Sequence, residues 1–155
     1  ASWTMSGIHT AATVSGGVLV GDDGSASALR ALEYAVEEAA RRGTTLHVLR
    51  AWNIPTAVRP EDLPFGVTPS ILELQEATAA MTLERARQVA TNHPELTIET
   101  HTVFGRGDRA LTAAAAGADV LVVGSRGLSR LGNFLVGSTA SACIREAPIP
   151  VIVVR

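Results

Sequence analysis

The sequence is short of cysteine and of long apolar runs, and both absences limit where the protein works. Cys143 is its only cysteine, so no internal disulfide can form, and this fits a reducing compartment. No apolar run approaches the length that spans a membrane. Residues 1–17 are small and polar and lack the hydrophobic segment of a signal peptide. We therefore expect a cytoplasmic protein that does not bind membranes.

The chain also lacks a charge excess of either sign. Thirteen basic and fifteen acidic residues leave a formal net charge of −2, so no broad basic surface is available to bind nucleic acid. The length fits one domain, and no internal repeat divides it. We expect residues 1–16 to be a mobile tail, with Ala1 to Thr4 consistent with residues added ahead of Met5. Residues 17–155 are then expected to form the single domain.

Short apolar segments alternate along the chain with segments of helical periodicity. Strands are expected at residues 18–20, 46–52, 96–103, 119–124 and 150–155, and a helix follows each of the first four. This alternation predicts an α/β fold with an open, doubly wound, five-stranded parallel sheet and helices on both faces. In such sheets ligands bind beyond the carboxyl ends of the strands.

Two of the predicted helices have an apolar face that periodicity can identify. In the first, which Ser25 can cap, the inward residues are expected to be Ala28, Leu32, Ala35, Val36 and Ala39. In the second, from Ser70 to roughly Asn92, they are expected to be Ile71, Leu74, Ala77, Met81, Ala86 and Val89. The proline-rich residues 53–69 between them are either a lid over a binding site or a surface excursion.

The most informative stretch is glycine-rich and runs from Gly124 to Thr139, between the fourth strand and the fourth helix. Its pattern is Gly, two residues, Gly, nine residues and then Gly-Ser. Glycines let the backbone approach an anion closely, and the start of a helix offers unpaired N–H groups and partial positive charge. The stretch contains neither Gly-Lys-Ser/Thr nor Gly-x-Gly-x-x-Gly, so it is not a Walker loop or a dinucleotide loop. It predicts phosphate binding, to which Arg126 and Arg130 add positive charge.

The spacing of Gly124, Gly127, Gly137 and Ser138 resembles the ATP-binding signature of the universal stress protein family. The likeness covers nearly the whole chain, because residues 18–25 resemble the family's opening strand and turn and residues 148–154 its closing strand. The resemblance implies a Rossmann-like fold of the adenine nucleotide hydrolase-like type, with the strand order 3-2-1-4-5. It also implies ATP as the ligand and a homodimer formed through the strand from Pro150 to Val154.

The resemblance further implies roles for individual residues. The phosphates would be held by Gly124, Gly127, Gly137, Ser138 and Thr139. The loop would be lined by Ser125, Arg126, Leu128, Ser129 and Arg130. The nucleoside would be held by Gly21, Asp22, Asp23 and Ala51, and Asp23 is the candidate ligand for Mg²⁺. One position departs from the family pattern, since Ala140 stands where the family often has Ser or Thr, and Thr139 is the candidate for the missing hydroxyl.

Other groups of chemical interest are expected to have structural roles. Residues 105–110 fit Gly-x-Gly-x-x-Ala but follow the third strand rather than the first, so they do not predict a dinucleotide site. None of the scattered histidines pairs at metal-ligand spacing, and His47 and His101 are expected to be strand residues. Trp52 either stacks on a base or packs beneath the following loop, and packing is expected. Cys143 is expected to be a small core residue.

The absence of a catalytic constellation favours a regulatory protein over an enzyme. Asp22 and Asp23 are adjacent, but alternation in an extended segment points them apart, so they are not expected to form an acid/base pair. The main hypothesis is an ATP-binding stress-response protein whose occupancy changes a surface that an unidentified regulatory partner recognises. The alternatives are a slow Mg²⁺-dependent ATP hydrolase that uses Asp23, and a dimeric assembly module without nucleotide binding, to which Ala140 points.

Overall fold

The computed structural model describes residues 4–5, 7–126 and 136–155. Four helices lie in this part of the chain: α1 (Ala26–Arg42), α2 (Ile71–Val89), α3 (Gly107–Ala115) and α4 (Ser138–Glu146). Its strands are β1 (Thr4–Met5), β2 (Ile8–His9), β3 (Val18–Gly21), β4 (Leu46–Trp52), β5 (Ile98–Phe104), β6 (Val120–Gly124) and β7 (Val151–Val154). Within the same ranges, no helix combines the length and the apolarity that crossing a bilayer requires.

Strands β3 to β7 form one parallel sheet in the order β5-β4-β3-β6-β7. Counting these strands alone, the order is 3-2-1-4-5, and the predicted doubly wound α/β fold is confirmed. The interior strands β3, β4 and β6 are buried along almost their whole length, which explains the continuous apolar runs of β3 and β6, and β4 also buries His47 and Arg50. β5 and β7 form the two lateral edges, and most of their residues are half-buried.

The helices cover both faces of the sheet. α1 and α2 pack on the face that carries Val20 and Val48. α3 and α4 pack on the opposite face, which carries Leu49 and Leu121. Cys143 of α4 is completely buried in this second core, as expected of a small core residue, and burial raises the pKa of its thiol to about 11.

Side-chain caps fix the starts of the first two helices. The Ser25 hydroxyl accepts a hydrogen bond from Ala28 N at 3.1 Å, and Gly43 ends α1 in the left-handed region with φ of 63°. α2 begins with a capping box, in which the side chains of Ser70 and Glu73 each accept a hydrogen bond from the other's backbone N–H. These local signals are visible in the sequence and place both helices.

The buried faces of α1 and α2 differ in how well periodicity identifies them. All five residues expected to point inward from α1 are buried. The prediction for α2 is wrong at Ile71 and Met81, which are 45% and 41% exposed. Gln75, Thr78 and Thr82 are buried instead. Buried polar groups need hydrogen-bond partners. Gln75 and Thr78 find theirs in segments distant in sequence, and Thr82 donates to the carbonyl of Thr78 one turn earlier, so an apolar pattern cannot reveal this face.

Residues 7–16, which the sequence predicts to be part of a mobile tail, lie against the domain. The Gln75 side chain donates to the carbonyl of Gly7 at 2.8 Å and accepts from His9 N at 2.9 Å. Ala12 and Val14 are buried in the core on the α3 side of the sheet. The segment therefore contributes side chains to the hydrophobic core rather than only preceding it.

The parallel strands give the sheet two chemically distinct ends. The term carboxyl edge is used here for the ends of β3, β4, β5 and β6 with the loops that follow them. The term amino edge is used for the beginnings of the same strands. Because all strands run the same way, the loops between a strand and its next helix meet at the carboxyl edge.

Candidate functional site

A cavity of about 640 Å³ opens at the carboxyl edge. This volume is typical of sites that bind a small molecule. Its walls come from the ends of β3, β4 and β6, the loop after β5 and the start of α4. The described residues of the predicted glycine-rich stretch thus lie beside the end of β3, because β3 and β6 are parallel neighbours in the sheet.

Most of the predicted site residues lie together around this cavity. Those that line it are Gly21, Asp22, Asp23, Ala51, Gly124, Arg126, Gly137, Ser138 and Thr139. Ser125 does not line it, because its side chain is buried at 7% exposure. The predicted residues Gly127, Leu128, Ser129 and Arg130 lie outside the described residues.

The glycine-rich stretch is anchored at both ends. Gly137 N donates to Ser125 O at 2.5 Å, which joins the end of β6 to the start of α4. On the β6 side, Arg126 N donates to the Ser27 hydroxyl at 3.1 Å. Ser27 is a structural residue of the site that sequence reasoning missed. It lies in α1, 99 positions from Arg126, and no motif connects the two.

The glycine at position 124 is required by packing against α1. A β-carbon there would lie 2.6 Å from the Ser27 hydroxyl oxygen and 2.8 Å from the Ser27 carbonyl oxygen. No side chain fits between the end of β6 and the first turn of α1. The residue therefore offers the cavity only backbone atoms, and its place in the motif has a structural cause.

The start of α4 lines the cavity with backbone N–H groups. Gly137 is the N-cap, and no side chain caps the helix. The first hydrogen bond of the helix runs from Ser141 N to Gly137 O. The amides of Ser138, Thr139 and Ala140 come before it and therefore have no acceptor within the helix. Such N–H groups, together with the positive end of the helix dipole, attract anions. This side of the cavity can bind a phosphate group.

α3 also begins at the cavity, but the carboxylate of Asp108 already lies at the positive end of this helix, where an anion would otherwise bind. Asp108 accepts a hydrogen bond from Arg109 N at 2.9 Å and forms an ion pair with Arg106 at 2.8 Å. A carboxylate in the first turn already interacts with the positive end of the helix. Sequence reasoning missed Asp108, whose only signal was the glycine pattern of residues 105–110. Of the two helix starts, α4 is the better site for an anion.

Asp22 and Asp23 are adjacent, but their carboxylates have different surroundings. The side chain of Asp22 is completely buried and accepts hydrogen bonds from Arg85 Nε at 2.9 Å and Gly24 N at 3.0 Å. The half-buried Asp23 accepts from Ser25 N at 2.9 Å and lines the cavity. Asp22 thus stabilises the turn after β3, whereas Asp23 is placed to contact a ligand.

A buried arginine accompanies this pair of carboxylates. Arg50 is 7% exposed, and its Nη2 donates to Thr56 O at 3.1 Å in the loop after β4. Burial lowers the pKa of Arg50, and the charges of Asp22 and Asp23 oppose that shift. The attraction of these charges therefore offsets part of the cost of burying Arg50.

Small residues keep one side of the cavity open. A β-carbon at Gly107 would lie 3.7 Å from the Ala51 β-carbon and 4.0 Å from the Thr139 hydroxyl, so the three residues border a common space. Trp52 is 1% exposed and makes an edge-to-face contact with Phe104 at a centroid distance of 5.0 Å. The prediction that Trp52 packs in the interior is confirmed.

The structure corrects one expectation away from the cavity. His47 Nδ1 and His101 Nε2 are 3.1 Å apart, and Glu99 Oε2 lies 3.4 Å from the same His47 nitrogen. The prediction that no histidine pairs at metal-ligand spacing is therefore wrong. It fails because the two histidines are 54 positions apart and meet only through the pairing of β4 with β5.

Comparison with known proteins gives a consistent result along the chain. The model described as the universal stress protein family matches residues 17–155. A universal stress protein of Mycobacterium bovis is 35% identical over 138 residues, which cover 89% of this chain and 45% of that protein. One from Mycolicibacterium smegmatis is 34% identical over 146 residues, covering 90% and 48%. The chain spans about half the length of these curated relatives.

Solved structures agree with the fold. A universal stress protein crystallised in complex with cAMP is 28% identical, with a TM-score of 0.64 over 93% of this chain and 98% of the other. The universal stress protein UspA from Lactobacillus plantarum has a TM-score of 0.70 at 22% identity, over 93% and 99% of the two chains. At that lower identity the likeness concerns the fold alone.

Proposed function

The chain belongs to the universal stress protein family, and on that premise we propose that it binds an adenine nucleotide, ATP, in the cavity at the carboxyl edge. The observation that carries the proposal is the uncapped start of α4, which lines a cavity of suitable size. The relative solved with cAMP is 28% identical and held an adenine nucleotide. Both observations favour a phosphate-bearing ligand over an apolar one.

The arrangement of groups suggests how the nucleotide lies. The amides of Ser138 and Thr139 bind the phosphates, and the exposed Arg126 adds positive charge beside them. The carboxylate of Asp23 accepts hydrogen bonds from ribose hydroxyls, and the base occupies the space next to Ala51. In this proposal Gly127, Leu128, Ser129 and Arg130 complete the loop.

Mg²⁺ is compatible with this site. The ion commonly takes one or two protein carboxylates together with oxygens of the bound phosphates. Asp23 is half-exposed on the cavity wall and fits the role of that carboxylate. Mg²⁺ would neutralise phosphate charge and favour a fixed orientation of the nucleotide.

We propose that the nucleotide acts as a regulatory ligand rather than a rapidly consumed substrate. The described residues that line the cavity include no histidine or cysteine to act as a general base or nucleophile. Occupancy would then change the surface around the start of α4, and a regulatory partner would recognise that surface. Slow hydrolysis through Mg²⁺ at Asp23 is the second candidate, favoured by the position of that carboxylate.

The first experiment is to identify what the purified protein carries. Freshly purified protein is denatured, any released nucleotide is identified by chromatography, and the stripped protein is titrated with ATP in the presence of Mg²⁺. We expect an adenine nucleotide near one equivalent, and ATP that survives prolonged incubation. Conversion of ATP to ADP at a rate proportional to protein would support the hydrolase. No binding at millimolar ATP would contradict both the regulatory and the hydrolase proposals, and the remaining hypothesis would be a dimeric assembly module without nucleotide binding.

A charge placed at the start of α4 tests the phosphate position. Ser138→Glu puts a carboxylate where the phosphates are proposed to bind, and an acidic residue there is favourable for the helix itself. Repulsion between like charges about 4 Å apart near a protein surface is worth roughly 4 kcal/mol, so ATP binding should fall more than tenfold. Ala80→Glu, on the exposed side of α2, adds the same charge elsewhere and should bind normally. Equal affinity of the two variants would contradict the assignment.

We also propose a two-fold dimer formed through β7. Among the described residues, β7 pairs with β6 on one side and has no strand on the other. Its residues Val151–Val154 are apolar and only half-buried. An uncovered edge strand of this kind is prone to pair with another chain. Sedimentation equilibrium at micromolar concentration should give a dimer mass, and a monomer mass would refute the proposal.

A further inference from the structure

We propose that His47, Glu99 and His101 bind a divalent transition-metal ion of the zinc class at the amino edge of the sheet. This site is separate from the nucleotide cavity, which lies at the carboxyl edge. Along β4, His47 lies four residues before Ala51 of the cavity wall, about 13 Å away, and Leu49 between them lines the inner end of the cavity. The proposal therefore stands whether or not the chain binds ATP.

Strand register brings the three side chains together. β4 and β5 are parallel neighbours in which His47 is paired with Glu99 and Leu49 with His101. Paired residues point to the same face of a sheet, and residues two apart on one strand also share a face. His47, Glu99 and His101 consequently occupy adjacent positions on one face, and this arrangement is a fixed property of the sheet rather than a chance contact of loops.

Two of the three distances between the donor atoms are close to those around a tetrahedral ion. Zinc bonds to imidazole nitrogen and carboxylate oxygen are about 2.0–2.1 Å long, which places neighbouring ligand atoms about 3.3–3.4 Å apart. His47 Nδ1 lies 3.1 Å from His101 Nε2 and 3.4 Å from Glu99 Oε2. All three donor atoms lie within 4.8 Å of one another. Only small side-chain rotations would be needed to accommodate the ion.

The chemistry and burial of the donors fit a three-ligand site with one open position. Two imidazoles and one carboxylate suit zinc and similar borderline ions better than Mg²⁺ or Ca²⁺, which prefer oxygen. The side chain of His47 is 4% exposed and that of Glu99 is 57% exposed, so the ion would be held from the protein side and reached by water from the other.

A hydrogen bond between the two histidines explains less of the geometry. A neutral imidazole carries one N–H, and the nitrogen of His47 that faces His101 also faces Glu99. One proton at that nitrogen cannot make two strong hydrogen bonds. A cation between the three atoms satisfies all of them.

The test uses Co²⁺ as a spectroscopic probe and Zn²⁺ as its competitor. Tag-free protein, freed of metal by chelation and free of nucleotide, is titrated with Co²⁺ while visible absorption is recorded. We expect the intense d–d bands of a four-coordinate ion, saturation at one equivalent, and loss of the bands when Zn²⁺ is added. Absence of these bands together with no Zn²⁺-dependent rise in Tm would overturn the proposal.

Three variants identify the ligands. His101→Asn and Glu99→Gln change residues that are not fully buried, so they should remain folded, as circular dichroism would verify. Each should weaken Co²⁺ binding by more than about tenfold, because even changes outside the first coordination shell cost that much. His93→Asn is the matched control, since His93 also lies beside two carboxylates, those of Glu37 and Glu95. Unchanged binding in His101→Asn, or equal loss in His93→Asn, would place the ion elsewhere and refute the proposal.

Discussion

The carboxyl edge and the amino edge of the same sheet offer ligands two different kinds of chemistry. At the carboxyl edge the cavity is lined by glycines, small side chains and the N–H groups of α4, and its buried charge is paired internally, as in Asp22 with Arg85. At the amino edge, two imidazoles and a carboxylate converge from neighbouring strands. Loops and helix starts build the first, whereas strand register builds the second. One sheet can therefore support a backbone-lined anion site and a side-chain cation site without conflict.

The largest effect should come from the buried ion pair beneath the carboxyl edge. Asp22→Ala leaves Arg85 Nε and Gly24 N without their partner, and breaking a buried pair costs about 3–5 kcal/mol. Because Arg85 is 21% exposed, we expect the lower part of that range. Urea denaturation measures the loss. Arg106→Ala breaks the exposed pair with Asp108 at the same edge and should cost less than about 1 kcal/mol; similar losses would show that the buried pair has no special role.

A smaller effect should separate two glycines that line the same cavity. Gly124→Ala forces a β-carbon against the Ser27 backbone, and overpacking of this kind costs about 1–3 kcal/mol. Gly107→Ala meets its nearest neighbour at 3.7 Å, an ordinary contact, and should change the free energy of unfolding by less than about 0.5 kcal/mol. Thermal unfolding of the two variants provides the comparison. The prediction would be contradicted if Gly107→Ala were destabilised and Gly124→Ala were not.

The smallest effect should be the coupling between the two edges. Distant sites that share no partners usually act independently to within about 0.3–0.5 kcal/mol, which is roughly a twofold change in affinity. Titration of the protein with Mg²⁺-ATP, with and without a buffered concentration of free Zn²⁺, should therefore give the same Kd within twofold. A larger change would mean that β4, whose ends contribute to both edges, transmits a conformational change.

The two edges also differ in how far the sequence could predict them. The alternation of strands and helices, the cap at Ser25 and the glycine-rich wall of the cavity follow from contiguous signals, whereas the strand order and the cavity residues of β3 and β4 were expected from the family resemblance. Ser27 was missed because its contact depends on how α1 packs against the end of β6. Asp108 was missed because its local contacts with Arg106 and Arg109 belong to no binding motif. The histidine pair was missed for a related reason, since two residues 54 positions apart meet only when the register of two strands is known.

The helices show the same limit. Periodicity identified the buried face of α1 because alanine, leucine and valine form most of it. It failed for α2, where Thr78 accepts a hydrogen bond from Val58 N and Gln75 binds the segment that precedes the sheet. A polar residue is buried when a distant backbone group needs it as a partner, and a local hydrophobic pattern contains no information about that partner.

The packed segment before β3 alters where the smallest independently folding unit begins. The family match starts at residue 17, yet Val14 is buried and Gly16 N donates to Gly117 O at 2.7 Å. Gly117 admits this passage, because a β-carbon there would lie only 1.9 Å from Val14 O. A truncated chain that starts at residue 17 would expose an apolar groove beside α3 and would be prone to aggregate. We therefore expect the cooperative unit to begin several residues before the boundary of sequence similarity, and a fragment for expression or domain fusion should include them.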